Sequence, residues 1–442
     1  MRPRPSEHGN RHDPPIAQKG GQFVRILVDQ SGYELLNVGD VAMLQSCVMR
    51  LRHQWPAAEI MVISHAPERL PLYCPGVIGI GRTFADMRSL QFLPRKLRLA
   101  SEQGWKTAAP YFSSRLGPRR TRPSGPRTAV QAAQAADIVV ASGGGYVTDT
   151  WWWHAAGILS LLSLAQRLGK PTAMFGQGIG PITQRALRAQ SSAVMPNLRI
   201  LGLREERTGR DLSVALGTPA ERMIATGDDA LELIDGTRVA DGDALGVNMR
   251  VSGYAGVDAA VATAVGDVVL EAAAEFGAPI VGLPVSRYPV DADIDALRVL
   301  LRRAQARDKL VLDDLDSPEA LVSAAGRCRA AVTGSYHAAV FALAQGVPSV
   351  CLTKSSYYDA KFGGLQAMFP GACAVLSLDE PDCAARLRAM ILWAWQLPDP
   401  ARAAARDAAA RLREAGREAY ARFRATTEAT AMAAAHRPGP VT

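Results

Sequence analysis

The chain has 442 residues, which is long for one domain and enough for two domains of roughly 100 to 200 residues each. It carries 50 Lys and Arg against 42 Asp and Glu, and hydrophobic residues make up 48% of it. This composition is typical of a folded globular protein and excludes a wholly disordered chain. The longest apolar run, Ala155–Ala165, falls short of the roughly 18 residues that a membrane-spanning helix needs.

The cysteine pattern indicates a reduced protein. The six cysteines are too few to crosslink a chain of this length, none stands in a Cys-x-x-Cys pair, and no Cys and His have the spacing of zinc ligands. Residues 1–21 are polar and Pro-rich, without the apolar core of a secretory signal, and we expect them to form a disordered arm. The sequence therefore predicts a cytoplasmic protein without a bound metal.

The excess positive charge is concentrated between Arg95 and Arg127, where nine basic residues stand against one acidic residue, Glu102. Pro and Gly are frequent there, so the favoured interpretation of residues 83–127 is a solvated, mobile insertion. The alternative is an electrostatic surface for an anionic partner, such as a polyanion or the inner face of a membrane, to which the protein would bind peripherally. Nucleic acid is not expected as a partner, because aromatic residues make up only 6% and no binding motif is present.

From Phe23 onward, short apolar segments alternate with amphipathic helical stretches. A first series of predicted strands is 23–28, 60–64, 137–142, 171–175, 199–203 and 223–226. A second series is 245–249, 279–283, 309–312, 330–333, 348–352 and 374–376. Short apolar strands separated by helices are typical of parallel sheets with crossover helices. Two such series predict an α/β fold with two Rossmann-like, doubly wound domains that face each other across a cleft.

The polar stretch 233–243 marks the predicted join between the two domains. The predicted divisions are an N-terminal domain at 22–235, a C-terminal domain at 236–395, and a helix with a tail at 396–442. The stretch Asp399–Ala435 is rich in Ala and Arg, which predicts one or two long helices. The sequence leaves open whether these helices pack across the first domain or project from the protein.

Doubly wound sheets bind their ligands at the carboxyl ends of the strands, so the residues directly after predicted strands are the candidates for a site. Asn37 and Asp40 follow the first strand, where a helix is expected to begin. One interpretation is helix capping, since Asn and Asp accept hydrogen bonds from the free amides of a first turn. The other, given equal weight, is a polar pair at the edge of the cleft that accepts hydrogen bonds from hydroxyl groups.

The glycines at 176–180 predict one tight turn. The glycines at 143–145 follow the predicted strand 137–142 and predict another, which would let the backbone approach an anion closely. They do not form a dinucleotide fingerprint, because Thr148 stands where the third glycine is required. A nicotinamide-dependent enzyme is therefore disfavoured.

Positively charged side chains follow strands in both predicted domains. Arg204 and Arg250 come directly after strands, where a guanidinium would suit a carboxylate or a phosphate; an ion pair with a neighbouring acid is the alternative. His337 lies in the first turn of a helix after the strand 330–333, and Lys361 follows the next strand. The positive end of the helix would favour a bound anion. These residues predict a site for an anionic ligand in the cleft.

Six segments stand in a characteristic order and spacing: Asn37-Val-Gly-Asp40, Gly143–Gly145, Gly178-Ile-Gly-Pro181, Arg204-Glu205, Thr226-Gly-Asp-Asp-Ala230 and His337–Lys361. Together they resemble the polysaccharide pyruvyl transferase family over roughly residues 23 to 380. The family is similar in fold to glycosyltransferases of the GT-B type, which have two Rossmann-like domains. Its members transfer the pyruvyl group of phosphoenolpyruvate to sugar hydroxyls, often forming a cyclic pyruvate ketal on surface glycans.

The resemblance implies roles for the candidate residues. It implies that His337 serves as a general acid, as a phosphate ligand or as both, and that phosphoenolpyruvate is a co-substrate with no further cofactor. The implied donor-binding residues are Arg204, Arg250, Ser335 and Lys361. The acceptor is the sugar of a glycan or of its lipid- or nucleotide-linked precursor. The residues implied to face it are Asn37, Asp40 and Gly144.

One position departs from the family pattern, since many members carry Arg where this chain has Ser335. A hydroxyl does not replace a guanidinium charge, and the loss of one charged phosphate contact would cost on the order of 2 to 4 kcal/mol. Either Arg287 or Lys354 compensates for it, or the donor has changed. Two alternatives therefore stay open: a nucleotide-sugar-dependent glycosyltransferase of the same architecture, and a non-catalytic partner in glycan assembly that docks through the basic stretch at 95–127.

Overall fold

The computed structural model describes residues 24–81, 128–207, 209–234, 242–290, 292–303 and 314–435. The predicted arm at 1–21, the basic insertion at 83–127 and the predicted strand 309–312 lie outside the described residues. Membrane contact through the basic stretch and a cytoplasmic location stay predictions. Within the described ranges, no helix is both long and apolar enough to cross a membrane, and no group of three or more His, Cys, Asp or Glu side chains could hold a metal ion.

Among the described residues, the first half of the chain forms a sheet of eight parallel strands. The strands are β1 (Arg25–Asp29), β2 (Glu59–Ser64), β3 (Ile78–Gly81), β4 (Ile138–Ala141), β5 (Gly144–Val147), β6 (Thr172–Ile179), β7 (Ile200–Leu203) and β8 (Met223–Ala225). Their order across the sheet is β3-β2-β1-β4-β6-β7-β8, and β5 pairs with β6 beside this row. The helices of this half are α1 (Val38–Gln54), α2 (Leu70–Tyr73), α3 (Ala129–Ala135), α4 (Trp152–Arg167), α5 (Arg185–Val194) and α6 (Gly209–Ala215).

In the part of the second half that the structure describes, five parallel strands form a separate sheet in the order β10-β9-β11-β12-β13. The strands are β9 (Ala244–Asn248), β10 (Ile280–Gly282), β11 (Cys328–Thr333), β12 (Ser349–Thr353) and β13 (Cys373–Ser377). The helices are α7 (Ala259–Phe276), α8 (Asp293–Arg303), α9 (Pro318–Gly326), α10 (Tyr336–Leu343), α11 (Ser356–Met368), α12 (Cys383–Trp395) and α13 (Asp399–Ala435).

Alternate residues of a strand pack into different layers on the two faces of the first sheet, as expected for parallel strands covered by helices on both sides. Ile26 and Val28 of β1 pack with Leu44 of α1 on one face. Leu27 lies on the other face, in the same layer as Leu159 of α4. All five side chains are fully buried, and each such burial stabilises the fold by about 1.5 to 3 kcal/mol.

The long helix α13 connects the two halves. Near its start, Arg402 donates a hydrogen bond to the carbonyl oxygen of Arg329, in the second half, at 2.7 Å. Farther along, Tyr420 stacks on Phe175 of β6 with their ring centroids 3.7 Å apart. The stretch that the sequence left undecided is therefore a single helix that packs back across the first half.

Main-chain hydrogen bonds also connect the halves at the loop before α1. The amide of Val38 donates to the carbonyl oxygen of Val285 at 2.9 Å, and the amide of Arg287 donates to that of Leu36 at 2.8 Å. We call these two hydrogen bonds the seam. Because of the seam, the first turn of α1 faces the second sheet.

The sequence does not predict β3 or β5, and both strands are rich in glycine. β3 reads Ile-Gly-Ile-Gly, and β5 begins at Gly144, inside the predicted glycine turn. Glycine has a low preference for strands and normally indicates a turn. Pairing with neighbouring strands overrides that preference here, since Gly144 lies opposite Gln177 of β6.

Candidate functional site

Four charged or ionisable side chains from both halves come together where the carboxyl ends of the two sheets meet. Arg204 directly follows β7, and Asp228 follows β8. His337 lies in the first turn of α10 and Lys361 in the second turn of α11, and both helices follow strands of the second sheet. This is the kind of crevice in which doubly wound sheets bind ligands. We call these four residues the charged cluster.

Asp228 is central to the charged cluster. Its Oδ2 atom lies 3.5 Å from Nε2 of His337 and 3.7 Å from Nη1 of Arg204. Its Oδ1 atom accepts a hydrogen bond from the amide of Ala230 at 2.8 Å and caps the 3₁₀ turn Asp229–Leu233. Burial favours the neutral acid, but the neighbouring His337 and Arg204 outweigh burial, so the pKa of Asp228 lies below its ordinary value. The cluster therefore holds a buried carboxylate between an imidazole and a guanidinium.

Arg204 is only 3% exposed, and its guanidinium carbon lies 4.4 Å from the ring centroid of Tyr336. Two glycines make room for this side chain. A Cβ atom at Gly145 would lie 2.5 Å from Nη2 of Arg204, and a Cβ atom at Gly178 would lie 2.6 Å from it. The sequence predicts turns at both positions, but Gly145 lies in β5 and Gly178 in β6. Both glycines nevertheless let the backbone approach a guanidinium of the protein itself.

Lys361 lies beside Arg204, since a Cβ atom at Gly145 would also lie 2.8 Å from Cε of Lys361. Its Nζ atom is 4.2 Å from the ring centroid of Tyr357 and 5.8 Å from that of Tyr336. Burial, followed by the positive charge of Arg204, lowers the pKa of Lys361 well below its ordinary value. A bound dianion would offset this repulsion, so the site suits a phosphate or a carboxylate group.

Three buried polar atoms of the charged cluster complete no hydrogen bond within the described part of the chain. They are Nε of Arg204, Oδ2 of Asp228 and Nε2 of His337. Buried polar atoms in folded proteins nearly always have a partner, which is the protein, water or a ligand. Oδ2 of Asp228 and Nε2 of His337 lie 3.5 Å apart and partly satisfy each other, so the buried Nε of Arg204 is the strongest sign of a polar ligand here.

The first turn of α1 packs directly against His337. A Cβ atom at Gly39 would lie 2.0 Å from Nδ1 of His337, so a larger residue fits there only if the ring moves. Asn37 caps this turn, because its Oδ1 atom accepts hydrogen bonds from the amides of Gly39 at 3.0 Å and Asp40 at 3.2 Å. The structure therefore shows Asn37 as the cap of α1. The turn that it caps is the one that contacts the imidazole of His337.

Asp40 and Gly144 lie on the first-half side of the cleft. The Oδ1 atom of Asp40 accepts a hydrogen bond from the hydroxyl of Ser31 at 2.8 Å. A Cβ atom at Gly144 would lie 2.9 Å from Cβ of Ser31, so the three residues are neighbours. The negative charge of Asp40 raises the pKa of Lys361, but burial and the charge of Arg204 lower it by more. Asp40 therefore lies close enough to the charged cluster to interact with it.

Arg250 lies close enough to Lys361 for its charge to act on that side chain, but its guanidinium is paired with an acidic residue. It is buried and pairs with Asp293, with Nε 3.1 Å from Oδ1 and Nη2 3.2 Å from Oδ2. Asp293 also accepts hydrogen bonds from the amides of Val285 and Ser286, both at 2.9 Å. The cavity beside Arg250 measures about 20 Å³, which is room for one water molecule. The structure thus shows the ion pair that the sequence leaves open as the alternative to donor binding.

Ser335, where the resemblance leads us to expect an arginine, is buried directly before α10. The two cations considered as substitutes have other partners. Arg287 donates a hydrogen bond to the carbonyl oxygen of Leu315 at 3.1 Å, and Lys354 pairs with Asp379. These contacts give no sign that either side chain compensates for the missing guanidinium.

Two residues of the site received no role from the sequence patterns. Asp228 lies in the segment Thr226–Ala230, where the strand-end rule could have singled it out. Tyr357 donates a hydrogen bond to the carbonyl oxygen of Gly145 at 3.2 Å and accepts one from Nε1 of Trp151 at 3.1 Å. No local pattern signals such a tyrosine, because its contacts reach across the cleft.

Solved structures with a similar fold come from sugar-nucleotide epimerases and glycosyltransferases. A candidate UDP-N-acetylglucosamine 2-epimerase from Listeria monocytogenes is 11% identical over 88% of this chain and 91% of its own, with a TM-score of 0.53. MnaA of S. aureus, solved with UDP, is 12% identical over 85% of this chain and 90% of its own, with a TM-score of 0.51. UGT89C1 of Arabidopsis thaliana, solved with quercetin, is 11% identical over 92% of this chain and 100% of its own, with a TM-score of 0.50. These similarities confirm the predicted fold of two Rossmann-like domains of the GT-B type.

The sequence itself matches a known family over most of its length. The search of curated proteins found no match. The family profile described as polysaccharide pyruvyl transferase matches residues 37–356, which is well over half of the chain. This range begins at Asn37 and contains both glycine segments and three residues of the charged cluster, Arg204, Asp228 and His337. The fourth, Lys361, lies five residues beyond its end. The chain therefore belongs to the polysaccharide pyruvyl transferase family.

Proposed function

We propose that the protein transfers the pyruvyl group of phosphoenolpyruvate to hydroxyl groups of a sugar and forms a pyruvate ketal. The acceptor is a surface or capsular glycan, or its lipid- or nucleotide-linked precursor. The observation that carries the proposal is the pair of adjacent cations, Arg204 and Lys361, in the cleft that also contains His337. Membership of the family supports the same reaction.

The donor fits the charge of this site. Phosphoenolpyruvate presents a phosphate and a carboxylate, and a guanidinium binds either group through two parallel hydrogen bonds. Arg204 supplies the guanidinium, and Lys361 adds a second positive charge beside it when a dianion is bound. Attraction between opposite charges is stronger where water is excluded, as it is around the 3% exposed Arg204.

Ketal formation adds a proton to the CH₂ carbon of phosphoenolpyruvate and an acceptor oxygen to the neighbouring carbon. The electron pair of the C=C bond takes up the proton, CH₂ becomes CH₃, and the first sugar hydroxyl bonds to the carbon that carries the carboxylate. Phosphate leaves with its bridging oxygen, and the second hydroxyl takes its place. One of the two hydroxyl hydrogens balances the proton gained by the methyl group, and the other leaves with phosphate.

The residues of the cleft fit the proton transfers of this scheme. His337 delivers the proton to the CH₂ carbon as a general acid from Nε2, since Nδ1 packs against the first turn of α1. The Asp228 carboxylate, 3.5 Å from Nε2, holds the ring in place. Asp40, hydrogen-bonded to Ser31, accepts the proton of the incoming hydroxyl from the first-half side. Acid and base thus come from different halves of the protein.

The test is release of inorganic phosphate from phosphoenolpyruvate by the full chain with candidate sugar acceptors, with the ketal identified by mass. Arg204→Gln should weaken binding of phosphoenolpyruvate by about 100-fold, because a charge-assisted hydrogen bond in a buried site contributes about 1.5 to 3 kcal/mol. Arg329→Gln is the matched control. It removes a partly buried arginine that packs 5.5 Å from the ring of Trp395, outside the charged cluster.

A nucleotide-sugar-dependent glycosyltransferase would respond to a different donor. Thermal unfolding in the presence of each donor separates the two activities, because a ligand at 100 times its Kd stabilises the folded state by about 2.7 kcal/mol. Phosphoenolpyruvate should raise the unfolding temperature of the wild type and of Arg329→Gln, but not of Arg204→Gln. Stabilisation by a UDP-sugar together with no effect of phosphoenolpyruvate would overturn the proposal.

A further inference from the structure

Behind Asp228, a second set of ion pairs lies where α1, the turn Asp229–Leu233 and α13 meet. Arg50 of α1 is 4% exposed, and Asp229 is 1% exposed. The Nη1 atom of Arg50 lies 2.6 Å from Oδ1 of Asp229, and its Nη2 atom lies 3.0 Å from Oε2 of Glu232. A buried guanidinium that holds two carboxylates of one short turn fixes the position of that turn.

The C-terminal helix α13 contacts the same carboxylates from the other side. The hydroxyl of Tyr420 donates a hydrogen bond to Oδ2 of Asp229 at 3.3 Å. The Nη2 atom of Arg417 lies 2.7 Å from Oε1 of Glu232. Each acidic side chain of the turn is therefore held by α1 and by the C-terminal helix together.

Gly416 lies in the interior of α13, where glycine costs about 1 kcal/mol relative to alanine. A Cβ atom at this position would lie 2.6 Å from Nη2 and 2.7 Å from Nη1 of Arg50. Since contacts this short do not occur, an alanine here would displace the guanidinium. The helix is thus shaped to accommodate Arg50, at a cost to its own stability.

The turn transmits this arrangement to the charged cluster. Asp228 and Asp229 are consecutive, and their side chains reach in different directions: Asp228 to His337 and Asp229 to Arg50. The capping hydrogen bond from the amide of Ala230 to Oδ1 of Asp228 ties the first carboxylate to the same turn. A shift of the turn that breaks the contact with Arg50 would therefore also change the distance between Asp228 and His337.

We propose that Asp229, held by Arg50 and Tyr420, is a positioning residue that fixes Asp228 against His337. The C-terminal helix is thereby part of the machinery of the site, although Tyr420 lies outside the charged cluster. The expected fall in kcat rests on the proposed pyruvyl transfer, whereas the expected change in the position of Asp228 against His337 does not.

The kinetic test compares Asp229→Asn and Tyr420→Phe with Arg424→Gln in the full chain. Arg424 lies on the same helix and donates to the carbonyl oxygen of Gln54 at 2.6 Å, so its replacement removes a helix contact without altering the turn. Asp229→Asn should lower kcat about tenfold and Tyr420→Phe about threefold, with KM for phosphoenolpyruvate within about threefold, because misplacing an orienting group affects the transition state most. Arg424→Gln should leave both constants within about twofold of the wild type.

A double-mutant cycle with Asp228→Asn separates positioning from loss of stability. If Asp229 acts through Asp228, the substitution Asp229→Asn lowers kcat by less than about twofold once Asp228 is Asn. Independent, multiplying effects of the two substitutions would overturn the proposal.

A spectroscopic readout distinguishes failure of this inference from failure of the proposed function. Imidazole resonances of His337, observed with isotope-labelled histidine and assigned with His337→Gln, report the surroundings of the ring without turnover. Asp229→Asn should shift them, and Arg424→Gln should not. If they shift but phosphoenolpyruvate releases no phosphate, the pyruvyl transfer is wrong and the positioning stands. If Asp229→Asn leaves them unchanged, the positioning is wrong whatever the turnover.

Discussion

The Nε2 atom of His337 lies 3.5 Å from the Oδ2 atom of Asp228, and the two residues follow strands of different sheets. Neither half of the protein alone contains this pair. The seam before α1 and the helix α13 both connect the halves, so both support the contact. The catalytic role proposed for His337 therefore depends on elements that are distant from it in the sequence.

Replacement of Gly39 by alanine should displace His337. A Cβ atom there would lie 2.0 Å from Nδ1 of the ring, and the cap by Asn37 holds the turn in place. We expect kcat for phosphate release to fall about tenfold or more, with a loss of about 1 to 3 kcal/mol of stability from overpacking. Gly81→Ala is the control, since within the described residues no atom beyond the glycine and its chain neighbours lies within 4 Å of a Cβ at Gly81. Unchanged kcat in Gly39→Ala would show that turnover does not need the ring in this place.

Donor binding should be accompanied by proton uptake at Lys361. Burial and the charge of Arg204 lower the pKa of Lys361 well below its ordinary value, so the free protein holds this proton less tightly than an ordinary lysine does. A dianion beside it favours the ammonium form. Calorimetric titration with phosphoenolpyruvate at several pH values between about 7 and 10, in two buffers of different ionisation enthalpy at each, measures the uptake. Lys361→Met should abolish it, and equal binding enthalpies of the wild type in both buffers would contradict this prediction.

The pH dependence of stability should show the titration of Asp229. Burial raises the pKa of Asp229 from 3.8 to about 6, with Asp228 adding to the shift and Arg50 opposing it. The folded protein thus binds this proton more tightly than the unfolded chain, so the contribution to stability is present below pH 3.8 and is lost as the pH rises through about 6.

A shift of about two pKa units corresponds to about 3 kcal/mol. Asp229→Asn should remove that decline from the curve of unfolding free energy against pH, measured between about pH 4 and pH 6.5. Asp295→Asn, at an exposed carboxylate of α8, should keep the slope of the wild type. If Asp229→Asn also keeps it, the carboxyl group of Asp229 is ionised throughout this range.

Gly416→Ala should lower both stability and turnover, contrary to the helix preferences of the two residues. Alanine stabilises a helix interior by about 1 kcal/mol relative to glycine. Here the added Cβ would lie 2.6 Å from Nη2 of Arg50 and would force the guanidinium away from Asp229. Thermal unfolding and phosphate release measure the two effects. A higher unfolding temperature with full turnover would show that Arg50 can move without disturbing the turn.

The convergence of Arg204, His337 and Lys361 follows from the sequence, because each comes after a strand and parallel strands end at one edge of a sheet. The same rule applied to Arg250 does not predict its ion pair. Its partner Asp293 lies on α8, and the pairing depends on how α8 packs against β9. Long-range packing of this kind leaves no local pattern in the sequence.

Asn37 and Asp228 show why one residue type supports two interpretations. Both have a side-chain oxygen that caps a turn after a strand. For Asn37 this is the interaction that the structure shows, whereas Asp228 caps with Oδ1 and also faces His337 with Oδ2. The difference depends on what the other half of the protein places opposite, and the sequence of one segment does not contain that information.

The seam has a consequence for which substitutions the protein tolerates. Val38 is the first residue of α1, a position where proline is ordinarily well accepted because the amide there has no partner within the helix. In this chain the amide of Val38 donates to the carbonyl oxygen of Val285. Proline has no backbone N–H, so it is the one substitution at this position that removes the donor of that hydrogen bond. Val38→Pro would therefore leave the helix intact but weaken the contact between the two halves. The contact between His337 and Asp228 would weaken with it.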